Sequence, residues 1–95
     1  MSDLFKTRKF TQWLDGLGDV RAIAHVLVRV ELLAMAEPGG DESVSENVSV
    51  LRLDSAFGLR VYFTRKNDSI VLLAGGDRNT QAVDVEQALR LAANV

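Results

Sequence analysis

GLRVYFTRKNDSIVLLAGGDRNTQ, residues 58–81, is the stretch whose reading decides the fold. From Leu59 to Thr64 a polar series (Arg60, Tyr62, Thr64) alternates with an apolar one (Leu59, Val61, Phe63). That period of two predicts a strand with one buried face and one solvated face. Ser69 to Ala74 is a nearly unbroken apolar run, as expected of a strand covered on both sides. Arg65-Lys66-Asn67-Asp68 between them reads as a solvated turn, so the pair is a β-hairpin. Gly75-Gly76-Asp77 then reads as a tight turn into a helix. Glycines in such a place either simply permit the turn or let backbone amides approach an anion at the helix N-terminus. Arg60 stands mid-strand, on the most rigid footing the chain offers.

Upstream, Asp3–Lys6 is a candidate first strand, and Thr7 a candidate N-cap for a helix. Phe10, Trp13, Leu14 and Leu17 share one face of that helix, which ends near Gly16–Gly18. Asp19 caps a second helix reaching about Ala36, with Ile23, Val26, Leu27, Val30, Leu33 and Ala34 as its core stripe. Glu37-Pro38-Gly39-Gly40 stops it. The polar, acidic segment from Gly39 to Asn47 reads as a loop, and its acids do not have the spacing of an EF-hand. Val48–Asp54 is the next strand, followed by a turn through Ser55-Ala56. After the hairpin, Asp77, Asn79 and Thr80 offer caps for a last helix. Its core face is Val85, Ala88, Leu89 and Ala92, with Asp84, Glu86, Gln87 and Arg90 outside. The order is β-α-α-β-β-β-α over a single domain, residues 1–95, and helices bunched before a hairpin-connected sheet indicate an α+β fold.

Composition narrows the function classes. The chain has 95 residues, no cysteine and one histidine, which leaves no disulfide framework, no thiol nucleophile and no ordinary histidine–cysteine zinc site. The N-terminus is charged and lacks the apolar run of a signal peptide, and His25, Arg29 and Glu31 interrupt the longest apolar helix. A cytoplasmic protein with no membrane partner is expected. Thirteen acidic residues against eleven basic give a net charge of −2, so nucleic-acid binding has to rest on a local basic patch. Arg21, His25 and Arg29 share a helix face at i, i+4, i+8, which is either a solvated polar stripe or a basic strip beside a nucleic-acid groove. Arg60 and Arg78 are always protonated donor forks, suited to charge developing on a phosphate, although spacing alone favours Arg60 as a salt-bridged residue on the open sheet face.

A succession of motifs then bears on these arginines. Phe10-x-x-Trp13-Leu14-x-x-Leu17-x-Asp19, Arg29, Pro38-Gly39, Val48-Ser49-x-Leu51-Arg52, Gly58-x-Arg60-Val61-Tyr62-Phe63 and Leu72-Leu73-x-Gly75-Gly76-Asp77-x-x-Thr80-Gln81-x-x-Asp84 follow in order over nearly the whole chain. This succession resembles the phage Gp49-like branch of the RelE/HigB toxin superfamily, the addiction module killer proteins. The hairpin and the GGDxxTQ segment are its specific part. The resemblance implies the RelE-like fold: an antiparallel-rich sheet, an N-terminal helical hairpin and a C-terminal helix. It also implies a type II toxin that cuts mRNA on the ribosome and is neutralised by a small helix-turn-helix antitoxin.

On that resemblance no metal or other cofactor takes part, and the ribose 2′-hydroxyl attacks the adjacent phosphate. Arg60 corresponds to the strand arginine that stabilises the transition state, and Arg78 to the basic residue that holds the phosphate or leaving group. Arg21, His25, Arg29, Arg52 and Tyr62 are the expected RNA-binding residues, Tyr62 belonging to the RVYF pattern either as a contact or as a structural residue. His25 and Asp77 are the candidates for a general base. The chain departs from the branch at Glu42, where lysine is common, at Val50, where glutamate is frequent, and at His25 and Leu32, where basic residues are typical. Alternatives are a weakened or inactive homologue that acts through antitoxin binding, and a ParE-like inhibitor of DNA gyrase on the same fold.

Overall fold

The computed structural model describes residues 3–35, 41–45, 47–53 and 58–95. Among these residues five strands and three helices occur in the order β1 (Asp3–Lys6), α1 (Arg8–Gly16), α2 (Val20–Met35), β2 (Asp41–Ser43), β3 (Ser49–Arg52), β4 (Leu59–Lys66), β5 (Ser69–Asp77) and α3 (Gln81–Ala93). They form one mixed sheet in the order β1-β5-β4-β3-β2, parallel between β1 and β5 and antiparallel elsewhere. The expected α+β architecture is present. It has one more strand than expected: β2 lies in the stretch read as a loop, pairing Glu42 with Val50 at the sheet edge. A charged three-residue strand carries no apolar alternation, and its exposed edge is the place where charge is favoured. The helix stop at Glu37–Gly40 and the turn at Ser55-Ala56 lie outside the described residues.

The hairpin is tighter than its sequence suggested. Lys66 pairs with Ser69, leaving Asn67-Asp68 as a two-residue connection with Asn67 at φ 54°, a backbone region asparagine tolerates. Thr7 fastens the helical layer to the hairpin. Its amide donates to the Leu72 carbonyl (3.0 Å), its hydroxyl to the Leu73 carbonyl (2.6 Å), and that hydroxyl accepts from the Phe10 amide as an N-cap (3.1 Å). Asp19 caps α2 as expected, accepting from the amides of Arg21 (2.8 Å) and Ala22 (3.2 Å).

Both sheet faces are covered, which corrects the reading of β4 as half-solvated. α1 and α2 lie on one face, where Phe10, Leu14, Ala22, Val26, Val30 and Leu33 meet Leu51, Leu59, Val61, Phe63, Ile70 and Leu72. α3 covers part of the other, where Ala88 meets Val48, Val50, Tyr62 and Leu73. Tyr62 is therefore wholly buried and Thr64 nearly so, although both alternate with the apolar series. Two helix faces also differ from expectation. In α2, Ala22 is buried and Leu27 is not; in α3, Asp84 is buried and Leu89 is exposed. The Asp84 carboxylate goes inside because it has a partner there.

Candidate functional site

Gly75-Gly76-Asp77, read from the sequence as a turn, is instead the end of β5. A register shift places Tyr62 opposite Ala74 but Phe63 opposite Leu72, so Leu73 is the extra residue of a β-bulge. After the bulge, Gly75 faces α1 and Gly76 faces α3. A Cβ on Gly75 would lie 2.2 Å from the Trp13 ring, and one on Gly76 would lie 1.7 Å from Asp84 Oδ2. Two consecutive glycines stand here because a ring and a carboxylate press on the strand from opposite sides. The single tryptophan is a packing anchor, as its helical spacing implied.

The rest of the motif is a latch. The Asp77 carboxylate accepts from the amides of Asn79 (2.8 Å) and Thr80 (3.2 Å). The Thr80 hydroxyl accepts from the Asp77 amide (3.2 Å) and donates to the Asp84 carboxylate over Gly76. Asp77, Thr80 and Asp84 thus fix how the chain leaves β5 and where α3 rests. Asp77 thus occupies the turn amides of Asn79 and Thr80 with its own carboxylate, leaving neither to an anion. The same bonds engage Asp77, one of the two candidate bases. Thr80 caps α3 only by position, since its hydroxyl is turned to Asp84.

Beside the latch, arginines gather at one end of the sheet. Arg60 pairs with Gly76 across β5 and with Arg52 across β3. Arg60 lies on the α3 side, two residues before Tyr62. Arg78 follows β5 directly and lays its guanidinium over Gly58, whose φ is +62° and where a Cβ would be 2.9 Å from Arg78 Nε. Three of the expected site residues, Arg52, Arg60 and Arg78, therefore meet at this end. Like charges placed directly opposite across strands repel, so the Arg52–Arg60 pair is held together by the fold and not by mutual attraction. Glu42 on β2 relieves part of it through a 3.1 Å bridge to Arg52. Arg60 is half-buried, and its Nε and Nη1 have no hydrogen-bond partner among the described residues.

Tyr62 forms the floor of this end. Its ring is enclosed and its hydroxyl is buried without a partner among the described residues. Burial pushes its pKa above 10.0; Asp84 adds to the rise, and Arg60 and Arg52 oppose it. The neutral phenol therefore sits in the combined field of those three charged groups. Its ring is not available for stacking on a base. The remaining expected residues are elsewhere: Arg21, His25 and Arg29 belong to α2, in the layer on the opposite sheet face, where with Ala24 and Val28 they line a shallow recess of about 390 Å³. His25, the other candidate base, is thus separated from Arg60 by the sheet. Sequence reasoning missed Asp84, which its helical spacing placed outside. Its signal was the Asp77-x-x-Thr80-x-x-x-Asp84 spacing after two glycines.

Among the described residues, no three histidine, cysteine, aspartate or glutamate side chains are grouped to hold a metal ion, and no helix is long and apolar enough to cross a membrane.

No family model matches the chain. In structure it is similar to a copper-bound mutant toxin from Helicobacter pylori, with a TM-score of 0.68 and 17% identity over 83% of this chain and 97% of that one. A conserved hypothetical protein of the same bacterium, solved in solution, gives a TM-score of 0.58 at 17% identity with the same coverage. At these identities the likeness shows a shared, toxin-like fold. In sequence the chain is 39% identical over 87 residues to an uncharacterized protein of Haemophilus influenzae, covering 90% of this chain and 88% of that protein. The chain therefore belongs to the same family as that Haemophilus influenzae protein.

Proposed function

We propose that this chain is the toxin of a type II toxin–antitoxin system, of the Gp49-like branch of the RelE/HigB superfamily, and that it cleaves mRNA on the ribosome. One observation carries the reading: Arg52, Arg60 and Arg78 converge at one sheet end, with two nitrogens of Arg60 unpartnered. In the cleavage the ribose 2′-oxygen bonds to the adjacent phosphorus and gives its proton to solvent, while the bond from phosphorus to the 5′-oxygen breaks and that oxygen takes a proton from solvent, leaving a cyclic phosphate and a 5′-hydroxyl. Negative charge accumulates on the phosphoryl oxygens on the way. Arg60, anchored mid-strand, meets that charge, while Arg78 and Arg52 hold the flanking phosphate oxygens; preorganised donors of this kind supply the largest part of such catalysis. No metal takes part. Tyr62 acts from below, supporting Arg60 and not touching RNA. A helix-turn-helix antitoxin would be the partner that silences the protein in the cytoplasm.

The test is induced expression in bacteria with mapping of mRNA 5′ ends. Growth arrest with new cuts inside translated messages is expected, and Arg60→Ala should lower cleavage by about 10²–10³-fold, the usual effect of removing one charge-stabilising donor. Arrest without cuts would direct attention to gyrase and overturn the reading. A second reading, a protein that binds its antitoxin but cleaves weakly, is favoured by the Glu42 bridge to Arg52, which sets a carboxylate where a phosphate would have to approach.

A further inference from the structure

We infer that the outward face of α2 is a docking site for an acidic, amphipathic helix of a partner protein. A surface helix normally turns one apolar stripe to the core and a polar face outward. α2 instead has apolar residues on both sides. Ala22, Val26, Val30, Leu33 and Ala34 are buried against the sheet layer, while Val28 is 57% exposed, Leu32 51% and Met35 61%. At about 100° per residue these three fall within roughly one-sixth of a turn of each other, with Ala24 beside them. They form a continuous ridge along the outer side of the helix.

The ridge is flanked asymmetrically. Arg21, His25 and Arg29 run along one side at i, i+4, i+8, and with Ala24 and Val28 they line the recess of about 390 Å³. Glu31, the one acidic residue of α2, lies on the other side, about 120° around the helix from His25. His25 also has Nε2 buried without a partner among the described residues, a polar atom at the recess still to be satisfied. An apolar ridge beside a row of cations fits a partner helix with apolar residues at i, i+3, i+4 and i+7 and carboxylates along one flank.

Other occupants fit worse. A second copy packed antiparallel about a two-fold axis would bring each flank against its own symmetry mate, so the Arg21–His25–Arg29 row would face the same row. RNA would gain from the cations but nothing from Val28, Leu32 and Met35, and phosphate binding has no use for an apolar ridge. The α2 cations are thus assigned to protein carboxylates, and only the Arg60 end to a phosphate. This inference does not rest on the proposed cleavage, because the docking experiment involves neither ribosome nor message.

The probes are two labelled helical peptides of about twenty residues, identical in their leucine face, one flanked by glutamates and the other by lysines. A labelled single-stranded RNA is the third probe. Binding to the whole protein is followed by fluorescence anisotropy at low and high salt. The glutamate peptide should bind saturably and at least about tenfold more tightly than its lysine twin, the affinity falling with salt as surface charge pairing requires. Arg21→Glu with Arg29→Glu should reverse that preference. Val28→Glu and Leu32→Gln, both at exposed positions, should each abolish binding while thermal melting stays unchanged. Equal binding of the two peptides, or a preference that survives the charge reversal, would overturn the inference. So would RNA displaced by the same variants, a dimer that Val28→Glu converts to monomer, or no binding of either peptide.

Discussion

The two faces of the sheet are built to different rules. Beneath α1 and α2 the contacts are almost purely apolar, Phe10, Val26 and Val30 closing on Val61, Phe63 and Leu72. Beneath α3 the apolar cluster is smaller, and beyond its member Tyr62 it gives way at the sheet end to Arg60, Arg52 and the Asp84 carboxylate. One face supplies most of the burial that makes the fold stable, and the other uses that stability to hold like charges close together. The contrast is sharpest at Phe63 and Tyr62, adjacent residues on opposite faces and both fully enclosed. Phe63→Ala should cost about 3–5 kcal/mol, the range for a large aromatic removed from a packed core. Against the marginal stability of a small domain, that loss should leave much of the chain unfolded, as a denaturant titration would record.

Between the faces lie the two glycines, where neither side has room to give. Gly76→Ala would drive a methyl into Asp84, and α3 has to lift to accommodate it. A loss of about 2–3 kcal/mol is expected, within the range for overpacking. The partner variant separates the cause: Asp84→Ala removes the obstructing carboxylate, so the double variant should recover part of the loss instead of adding to it. Additive losses in thermal melts would mean that Gly76 matters for strand conformation and not for the close approach.

These glycines also mark where sequence reading reaches its limit. The hairpin, the Thr7 and Asp19 caps and the α+β order follow from period, turn chemistry and local hydrogen bonding, all of which act over a few residues. What covers a strand is decided by elements distant in the chain. Tyr62 and Thr64 alternate like solvated residues, yet α3, which comes later, buries their face. Asp84 looks like a surface acid until Gly76 opens a place for it across the strand. A bulge at Leu73 changes which face each glycine meets, and period alone does not disclose a bulge. Of the expected site, the grouping of Arg60 with Arg78 was within reach, since both flank one hairpin; the separation of Arg21, His25 and Arg29 from them was not, because it depends on which sheet face α2 covers.

Tyr62 offers a gentler way to test the polar face. Its hydroxyl is buried and unpartnered, so Tyr62→Phe removes an unsatisfied group and should change stability at neutral pH by less than about 1 kcal/mol. The effect appears with alkali. The folded chain holds the phenolic proton more tightly than the unfolded chain, whose tyrosine titrates near 10.0. The stabilisation this represents is complete below that pH and is lost as pH rises toward the higher folded value. Unfolding free energy measured by urea titration should therefore decline above pH 10.0 in the wild type, and the variant should lack that part of the decline.

The smallest stability effect is expected at Glu42, and it bears most directly on how the charged end works. Its bridge to Arg52 joins two side chains about half exposed, an arrangement worth at most about 1 kcal/mol. Glu42→Lys should accordingly leave the melting temperature nearly unchanged, while adding two units of positive charge beside Arg52 and Arg60. If that end receives phosphate, single-stranded RNA should bind more tightly. The salt dependence should also steepen by about 0.7 in logarithmic slope for each additional phosphate neutralised. Glu42→Gln, which releases Arg52 without adding a cation, should fall between the two. A variant series in which affinity follows the charge at residue 42 while stability stays flat would place RNA at this end of the sheet. Unchanged affinity across the series would mean that Arg52 and Glu42 serve only to close the sheet edge, leaving Arg60 and Arg78 to act alone.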